Sequence, residues 1–344
     1  MPMTPGASDL HIDRLLTNVS VAYFMDPNDF IADKMFPGVP STPRSNLYRK
    51  YSKSDWRRTD AEKRAPGTES AGISWNVTND RFFAEVYAAH VDIDDQTRAN
   101  SAEDQWNLDA DATRLVTNHL LIQKDVLWAN TYFQTGLWGT EYAGVASGPT
   151  GSQFLRWDVS TSDPLANFSK WRTAFRLATG KKVNKMLLGA DVWVALENHP
   201  AILDRIKYTQ KGVVTTDLVA GFFGVDEIIV GYSSVGTGPK IADAKAQDAA
   251  ATYSWTMNSK AALFGYAPDR PGQFEPSMGY TFNWRGYGAG NKYGLTMSQF
   301  AYRVDSGAMA VRSRFSPVSQ RVPRDAGASR SLLRVSEKPL DALI

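Results

Sequence analysis

The sequence predicts an α+β protein in which a compact α/β module is inserted into a framework of strands and one long helix. Residues 46–80 form a two-armed hairpin whose second arm alternates apolar and polar side chains. Residues 107–133 carry one continuous apolar stripe at helical spacing, and residues 163–252 alternate between helix and strand patterns. Alternation with a period of two is typical of strands, and three- to four-residue spacing is typical of amphipathic helices.

The N-terminal segment, residues 1–45, is predicted to be an arm. Prolines interrupt it, and its apolar residues Phe30, Ile31, Met35 and Phe36 stand singly or in pairs. Such a segment becomes ordered when it lies on another surface. The segment has no basic region followed by an apolar run, so it is not expected to be a signal peptide.

The hairpin at residues 46–80 is predicted to be a projecting ribbon. In its second arm, Ile73, Trp75 and Val77 share one face. Pro66 and Gly67 predict the turn between the arms, because proline presets one turn position and glycine permits the next. An isolated two-stranded ribbon is marginally stable in water, so a surface outside the ribbon is expected to cover it.

The ribbon is followed by a predicted strand at 81–93, a spine helix at 107–133 and a glycine-rich loop at about 135–163. Asp109 and Asp111 lie near the start of the helix, where the helix dipole favours negative charge. His119 falls on the apolar stripe and is predicted to be a core histidine. The stripe comprises Leu108, Ala112, Leu115, Val116, His119, Leu120, Val126 and Leu127.

The predicted α/β module covers residues 163–252. Its first helix has Asp163 as N-cap, Pro164 at its first position and Gly180 as its stop. "NKMLLGA" and "DEIIVG" read as buried strands, with short helices between them; His199, before Pro200, is assigned a capping or packing role. Strands are predicted to return at 253–315, and residues 316–344 form a C-terminal extension.

The residues that usually carry enzyme chemistry do not form recognisable motifs. Cysteine is absent, and the four histidines lack metal-ligand spacing. "TGKKV" lacks both the glycine and the Ser or Thr of a phosphate loop. We therefore expect no catalytic, cofactor or metal site. The 10 tryptophans leave open one alternative, a carbohydrate-active enzyme or binding module.

Two blocks of opposite charge stand close together in the sequence. Residues 44–64 hold 8 basic and 3 acidic residues, and residues 92–111 hold 7 acidic and 1 basic. Both could be ordinary solvated faces, because a surface ion pair contributes only about 0–1 kcal/mol. Our hypothesis is instead that the ribbon of one subunit lies across the acidic spine region of its neighbour.

The predicted contact residues fall into two sets. The ribbon set comprises Tyr48, Arg49, Lys53, Trp56, Arg57, Arg58, Lys63, Arg64 and Trp75. The acidic spine set comprises Asp92, Asp94, Asp95, Glu103, Asp104, Asp109 and Asp111. A head-to-tail contact between such surfaces builds closed rings or shells.

The order of these parts resembles the major capsid proteins of tailed bacteriophages, which have the Hong Kong 97 fold. The most specific stretches are "RAPGTESAG" at 64–72, "DIDDQTRAN" at 92–100 and the segment 183–231, which are similar to capsid proteins of phages that infect actinobacteria. The resemblance implies an extended E-loop at 46–80, a peripheral domain at 81–162 and 253–315, and an axial domain at 163–252.

The resemblance also implies a function. A member of this family is a structural protein that assembles as a homo-oligomer into hexamers and pentamers. These form an icosahedral shell around double-stranded DNA, and no cofactor is expected. Assembly is expected in the host bacterial cytoplasm, with a portal, a scaffolding protein encoded separately where one is needed, and a decoration protein in some relatives. Contacts with DNA are expected to be weak and nonspecific. An encapsulin-type nanocompartment shell is the alternative of related fold.

Overall fold

A computed structural model describes residues 25–93, 108–207, 214–238, 247, 249–272, 275–284, 295–301, 309–315 and 333–337. It contains both helices and strands, in agreement with the predicted α+β class. The helices are α1 (Ala32–Met35), α2 (Leu108–Tyr132), α3 (Pro164–Thr179), α4 (Ala190–Glu197), α5 (Pro200–Ile206) and α6 (Thr216–Phe223). The strands are β1 (Gly38–Ser41), β2 (Ser45–Tyr51), β3 (Val77–Phe83), β4 (Tyr87–Ile93), β5 (Thr140–Val145), β6 (Gln153–Leu155), β7 (Lys185–Gly189), β8 (Glu227–Gly231), β9 (Ser234–Thr237), β10 (Thr252–Trp255), β11 (Ala261–Gly265), β12 (Thr281–Trp284), β13 (Leu295–Ala301), β14 (Met309–Phe315) and β15 (Leu333–Glu337).

The largest sheet has six strands in the order β6-β5-β15-β11-β7-β8. The adjacent strands β11 and β7 are antiparallel and short, and apart from the half-buried Lys185 at the start of β7 their residues are buried on both faces. Helix α3 covers the sheet with Phe168 and Trp171, whose rings lie 4.9 and 6.1 Å from Phe264 of β11. Trp128, Trp157, Trp171 and Trp193 are all buried. These tryptophans therefore belong to the core, where they are not available to form a carbohydrate platform.

The six-stranded sheet extends beyond the predicted 163–252 module. Strands β5 and β6 lie in the segment predicted as a glycine-rich loop, and β11 and β15 come from segments assigned to the peripheral strands and the C-terminal extension. The loop expectation was wrong at 140–145, because Tyr142 of β5 stacks on Trp171 of α3 at 4.9 Å and ties the segment to the core.

Helices with local capping signals have the predicted bounds. The side chain of Asp163 accepts a hydrogen bond from Ala166 N at 2.9 Å, and Pro164 is the first residue of α3. Gly180 ends the helix with φ 77°, and its N–H donates to Arg176 O at 2.8 Å. The spine helix is also confirmed, since α2 runs over Leu108–Tyr132.

The apolar stripe of α2 is wider than the surface that covers it. Ala112, Val116 and Leu120 are buried, whereas Leu115 is 42% exposed and His119 is exposed. The predicted core histidine was therefore wrong. Leu115 and His119 share one edge of the stripe, about 100° around the helix from Val116 and Leu120.

In the described part of the N-terminal arm, residues 25–45, the segment 30–36 lies on the spine helix, as expected for a segment that is ordered by another surface; residues 1–24 lie outside the described residues. Ile31, Met35 and Phe36 are buried, and the Phe36 ring lies 5.5 Å from that of Trp128 and 4.8 Å from that of Tyr132. The arm then continues as β1, which pairs in parallel with β12. The surface that orders this part of the arm belongs to the same chain.

A buried carboxylate on the spine helix caps α1. Asp125 accepts hydrogen bonds from Ile31 N at 3.0 Å and from Ala32 N at 2.9 Å. The neighbouring Lys124 forms an ion pair with Asp33 at 2.5 Å. The two hydrogen bonds to Asp125 satisfy backbone N–H groups at the start of α1 that have no partner within the helix.

His199 has the predicted capping and packing role. It is buried; its Nδ1 accepts a hydrogen bond from Ala201 N at 3.2 Å, and its Nε2 lies 3.0 Å from Ser162 Oγ. Because Nδ1 is the acceptor, the cap requires the neutral ring. Burial lowers the pKa of His199 below its ordinary value.

Acidification is expected to destabilise the protein through His199. The unfolded chain binds a proton near pH 6.5, whereas the folded ring resists it, so stability is lost as the pH falls from about 6.5 towards the lowered pKa. His199→Asn retains a capping acceptor but cannot titrate. Urea unfolding at pH 7.5 and 5.5 should show that the wild type loses more stability than this variant, by up to about 1 kcal/mol. Equal losses would contradict the prediction.

Candidate subunit interface

The ribbon is a pair of antiparallel strands with two unlike faces. Strands β2 and β3 pair so that Tyr48 is opposite Asp80 and Asn46 is opposite Phe82. Opposed residues of an antiparallel pair share a face. On this inner face, Phe82 stacks on Phe282 of β12 with ring centroids 4.2 Å apart and an interplanar angle of 2°. The inner face therefore fastens the base of the ribbon to its own subunit.

Polar contacts reinforce the inner face. Tyr48 Oη donates to Asp80 at 3.1 Å, and Lys50 Nζ lies 2.7 Å from the same carboxylate. Burial and the nearby Asp80 carboxylate raise the pKa of Tyr48. Burial alone would raise the pKa of Asp80, but the hydrogen bond from Lys50 and its charge lower it. Tyr48, predicted to contact a neighbour, is thus held within its own chain.

The outer face of the ribbon is open. Leu47, Val77 and Phe83 are 62%, 40% and 54% exposed. Arg49 stands between Leu47 and Tyr51 on the same face. On β3, Asn79 and Arg81 separate Val77 from Phe83, so apolar and polar side chains alternate on this face and both are available for contact with another protein. The sequence analysis did not include Leu47 and Phe83 among the contact residues. The strand pattern of "LYRKY" nevertheless predicts that Leu47 and Tyr48 lie on opposite faces of the ribbon.

The second arm pairs later in the sequence than predicted. No strand forms at residues 69–76, and Ile73 and Trp75 are exposed. In the first arm a short 3₁₀ turn occupies Asp55–Arg57. Asp55 Oδ2 accepts from Asn76 N at 2.7 Å, and Asn76 O accepts from Ser52 N at 3.3 Å, so one side-chain and one backbone hydrogen bond join the arms just beyond the paired strands. The turn at Pro66-Gly67 is confirmed, with φ 82° at Gly67.

Three aromatic side chains form an exposed cluster above this 3₁₀ turn. The Trp56 ring lies 6.0 Å from Tyr51 and 6.4 Å from Trp75. Trp56 is 59% and Trp75 61% exposed. Large aromatic side chains contribute strongly to protein interfaces when a partner buries them. Trp56 and Trp75 are therefore exposed on the ribbon, and their predicted contact with a neighbouring subunit remains a prediction.

The basic residues of the ribbon differ in their surroundings. Arg57 donates to the carbonyls of Leu177 and Ala178 in α3, and Arg58 lies 3.4 Å from Asp60. Four others are exposed and make no ion pair with the described residues: Arg49, Lys53, Lys63 and Arg64. The unpaired positive charge therefore lies along the outer face and towards the end of the ribbon.

The structure locates only part of the predicted acidic region. Asp111 is exposed and lies 3.8 Å from Arg114 on the same helix. Asp92 and Asp109 are placed by their backbone alone, in β4 and α2. Asp94, Asp95, Glu103 and Asp104 lie outside the described residues. Within the described part of the chain, no ion pair joins the ribbon to the acidic region.

Over the described ranges, no group of three or more His, Asp or Glu side chains is placed to hold a metal ion. In the same part of the chain, no helix is long and apolar enough to cross a membrane.

Comparison with solved structures defines the class of protein to which this fold belongs. A crystal structure of a phage-related protein from Bordetella bronchiseptica matches with a TM-score of 0.64 and 16% identity, over 91% of this chain and 93% of that one. A structure from Microbacterium phage Oxtober96 matches with a TM-score of 0.53 and 10% identity, over 97% and 99% of the two chains. The predicted Hong Kong 97-like capsid fold is confirmed.

The sequence comparison points to a particular relative. The major capsid protein of Burkholderia phage BcepMu is 25% identical over 280 residues, which is 80% of this chain and 84% of the relative. No family model matches the sequence. The resemblance to phage major capsid proteins is confirmed by this homologue and by the shared fold.

Proposed function

We infer that this protein is a structural major capsid protein, many copies of which form the shell of a phage particle. Homology to a phage major capsid protein and the capsid fold support this role. The observation in the molecule that carries it is the ribbon, whose inner face is fastened to its own subunit while its outer face remains exposed. In a shell, that outer face would be covered by the next subunit.

The ribbon would act as the extended E-loop. Trp56 and Trp75 would supply apolar contact, and the exposed Lys53, Lys63 and Arg64 would meet acidic residues of the neighbour, including Asp111. Association buries apolar area, whereas complementary charge sets the partner and the register. Helix α2 would be the spine, and the module built on the six-stranded sheet would be the axial domain.

The finer assembly follows from the same proposal. Subunits would form pentamers and hexamers of an icosahedral shell that encloses double-stranded DNA in the virion. The shell would assemble in the host bacterial cytoplasm together with a portal and, where needed, scaffolding and decoration proteins. A role of this kind requires neither catalysis nor a cofactor.

Electron microscopy of the purified protein, combined with sedimentation, tests this proposal. Closed shells, or rings of five and six subunits, are the expected result. A uniform monomer would call for a second measurement, with the candidate scaffolding protein from the same genome added. A chain that stays monomeric with every such protein would overturn the proposal. Protein cargo instead of DNA inside shells purified from cells would identify a nanocompartment.

A further inference from the structure

The ribbon touches its own subunit at a second point, well away from its base. Arg57 Nη1 donates to Leu177 O at 2.8 Å and to Ala178 O at 3.2 Å. Arg57 belongs to the 3₁₀ turn of the ribbon, whereas the two carbonyls belong to the last turn of α3. This contact joins residues 120 positions apart and connects the ribbon directly to the α/β module.

The acceptors are suited to a cation. The last carbonyls of a helix lack intrahelical partners and carry the negative end of the helix dipole. Lys181 lies just beyond α3, four residues after Leu177. Its N–H donates to Thr179 Oγ1 at 3.2 Å and therefore does not continue the helical hydrogen bonding to Leu177. A guanidinium is always charged and can present a donor to two neighbouring carbonyls.

The 3₁₀ turn transmits this contact to both arms of the ribbon. Asp55, two residues before Arg57, accepts from Asn76 N of the second arm at 2.7 Å. Trp56, between them, packs against Tyr51 and Trp75. One short turn thus binds the opposite arm, the aromatic cluster and α3.

We propose that Arg57 is a positioning residue that fixes the direction of the ribbon on its own subunit before a neighbour binds. The inference rests on the proposed function, because it assigns the ribbon a neighbour. If the stacked Phe82–Phe282 pair were the sole attachment, the ribbon could change its orientation about its base. A second fixed point sets its direction, so that Trp56 and Trp75 are presented outward and less conformational freedom is lost on association.

The position of the ribbon can be measured in the unassembled chain. The protein has no cysteine, so spin labels can be attached solely at Thr59→Cys and Ala174→Cys, both of which are exposed sites. Electron paramagnetic resonance should give a narrow distribution of distances between the two labels. Arg57→Ala should broaden the distribution, whereas Arg57→Lys should broaden it less.

Arg58→Ala is the matched control, because Arg58 is the adjacent residue and its ion pair among the described residues is local, with Asp60 at 3.4 Å. It should leave the distance distribution unchanged. Arg57→Ala should also raise the protein concentration needed for shell assembly by about tenfold relative to Arg58→Ala. Circular dichroism establishes that both variants are folded.

Three outcomes would overturn the inference: a narrow distribution in Arg57→Ala, equal effects of Arg57→Ala and Arg58→Ala, or faster assembly of Arg57→Ala. Faster assembly would mean that the contact holds the ribbon in a position it must leave. If no variant, including the wild type, forms shells under any condition, the proposed function fails. The label distances would still decide whether Arg57 positions the ribbon.

Discussion

Reversing three charges at the end of the ribbon, in the variant Lys53→Glu/Lys63→Glu/Arg64→Glu, is expected to weaken shell assembly strongly at physiological salt. The three side chains are exposed and make no ion pair with the described residues, so their replacement leaves the folded chain intact. At each subunit contact, attraction to the acidic region would become repulsion. We expect the concentration required for assembly to rise at least about tenfold, equivalent to about 1.4 kcal/mol per contact.

Light scattering and electron microscopy measure this effect, and two further variants identify its cause. Lys53→Gln/Lys63→Gln/Arg64→Gln removes the charge without reversing it and should have an intermediate effect. Adding Asp94→Lys, Asp95→Lys and Asp111→Lys to the reversed ribbon should restore assembly, because the complementary charges are then exchanged. Normal shells from the reversed ribbon alone would show that the charge blocks do not meet.

Arg57 is left out of this variant because of where the structure places it. The sequence gives no reason to separate Arg57 from Arg58, since both follow Trp56 in a run of positive charge. Within the part of the chain that the structure describes, Arg57 donates to carbonyls at the end of α3, whereas Arg58 pairs with Asp60 nearby. Reversing Arg57 would combine a loss of ribbon position with a loss of intersubunit attraction, so the result could not be assigned to either.

The parts of the fold that could be predicted from sequence are those with local causes. Asp163, Pro164 and Gly180 determine the ends of α3 through contacts within a few residues of each end. The spine helix was predictable because 25 residues provide many repeats of one pattern. The turn at Gly67 was predictable for the same local reason, because glycine permits its positive φ.

The parts that could not be predicted depend on what covers each surface. His119 and Leu115 have the spacing of core residues, but β4 and the arm do not reach that edge of α2. Strand β5 lies in a segment rich in glycine and serine, and its place in the sheet comes from pairing with β15 and β6 and from the contact between Tyr142 and Trp171, all of which are long-range or tertiary contacts. Periodicity shows which residues share a face, and the rest of the chain decides whether that face is buried.

The ribbon has some features with local causes and others that depend on distant contacts. Its turn and its exposed tryptophans followed from the sequence, whereas the pairing of its arms did not. β3 begins at Val77, and just before it Asn76 N donates to Asp55 of the 3₁₀ turn, a contact across the ribbon that no local pattern in the sequence predicts. For the candidate interface, the sequence therefore identified the segment, and the fold separated its inward-facing residues from its outward-facing ones.

Asp125 is the residue whose replacement is expected to affect the stability of the subunit most. Asp125→Ala should lower the free energy of unfolding by about 2–6 kcal/mol at pH 7, because two buried N–H groups lose their acceptor, at about 1–3 kcal/mol each. These are the backbone donors of Ile31 and Ala32, which hold the arm on the spine. Asp111→Ala, the same change at an exposed site of α2, should alter stability by less than about 0.5 kcal/mol. Urea unfolding of the unassembled protein measures both.

The effect of Asp125→Ala should also depend on pH. Burial raises the pKa of Asp125 from its ordinary value of 3.8 to about 6, although hydrogen bonds from Ala32 and Ile31 oppose the shift. Between these two values the folded protein holds a proton on Asp125 that the unfolded chain has released, so the contribution of Asp125 to stability rises as the pH falls through 6. The cost of Asp125→Ala should therefore be greater at pH 5 than at pH 7, by about 1 kcal/mol. His199 acts in the opposite direction over this range, but it is present in both proteins and cancels in the comparison. A cost that is the same at both pH values would mean that Asp125 is already ionised in the folded protein at pH 5.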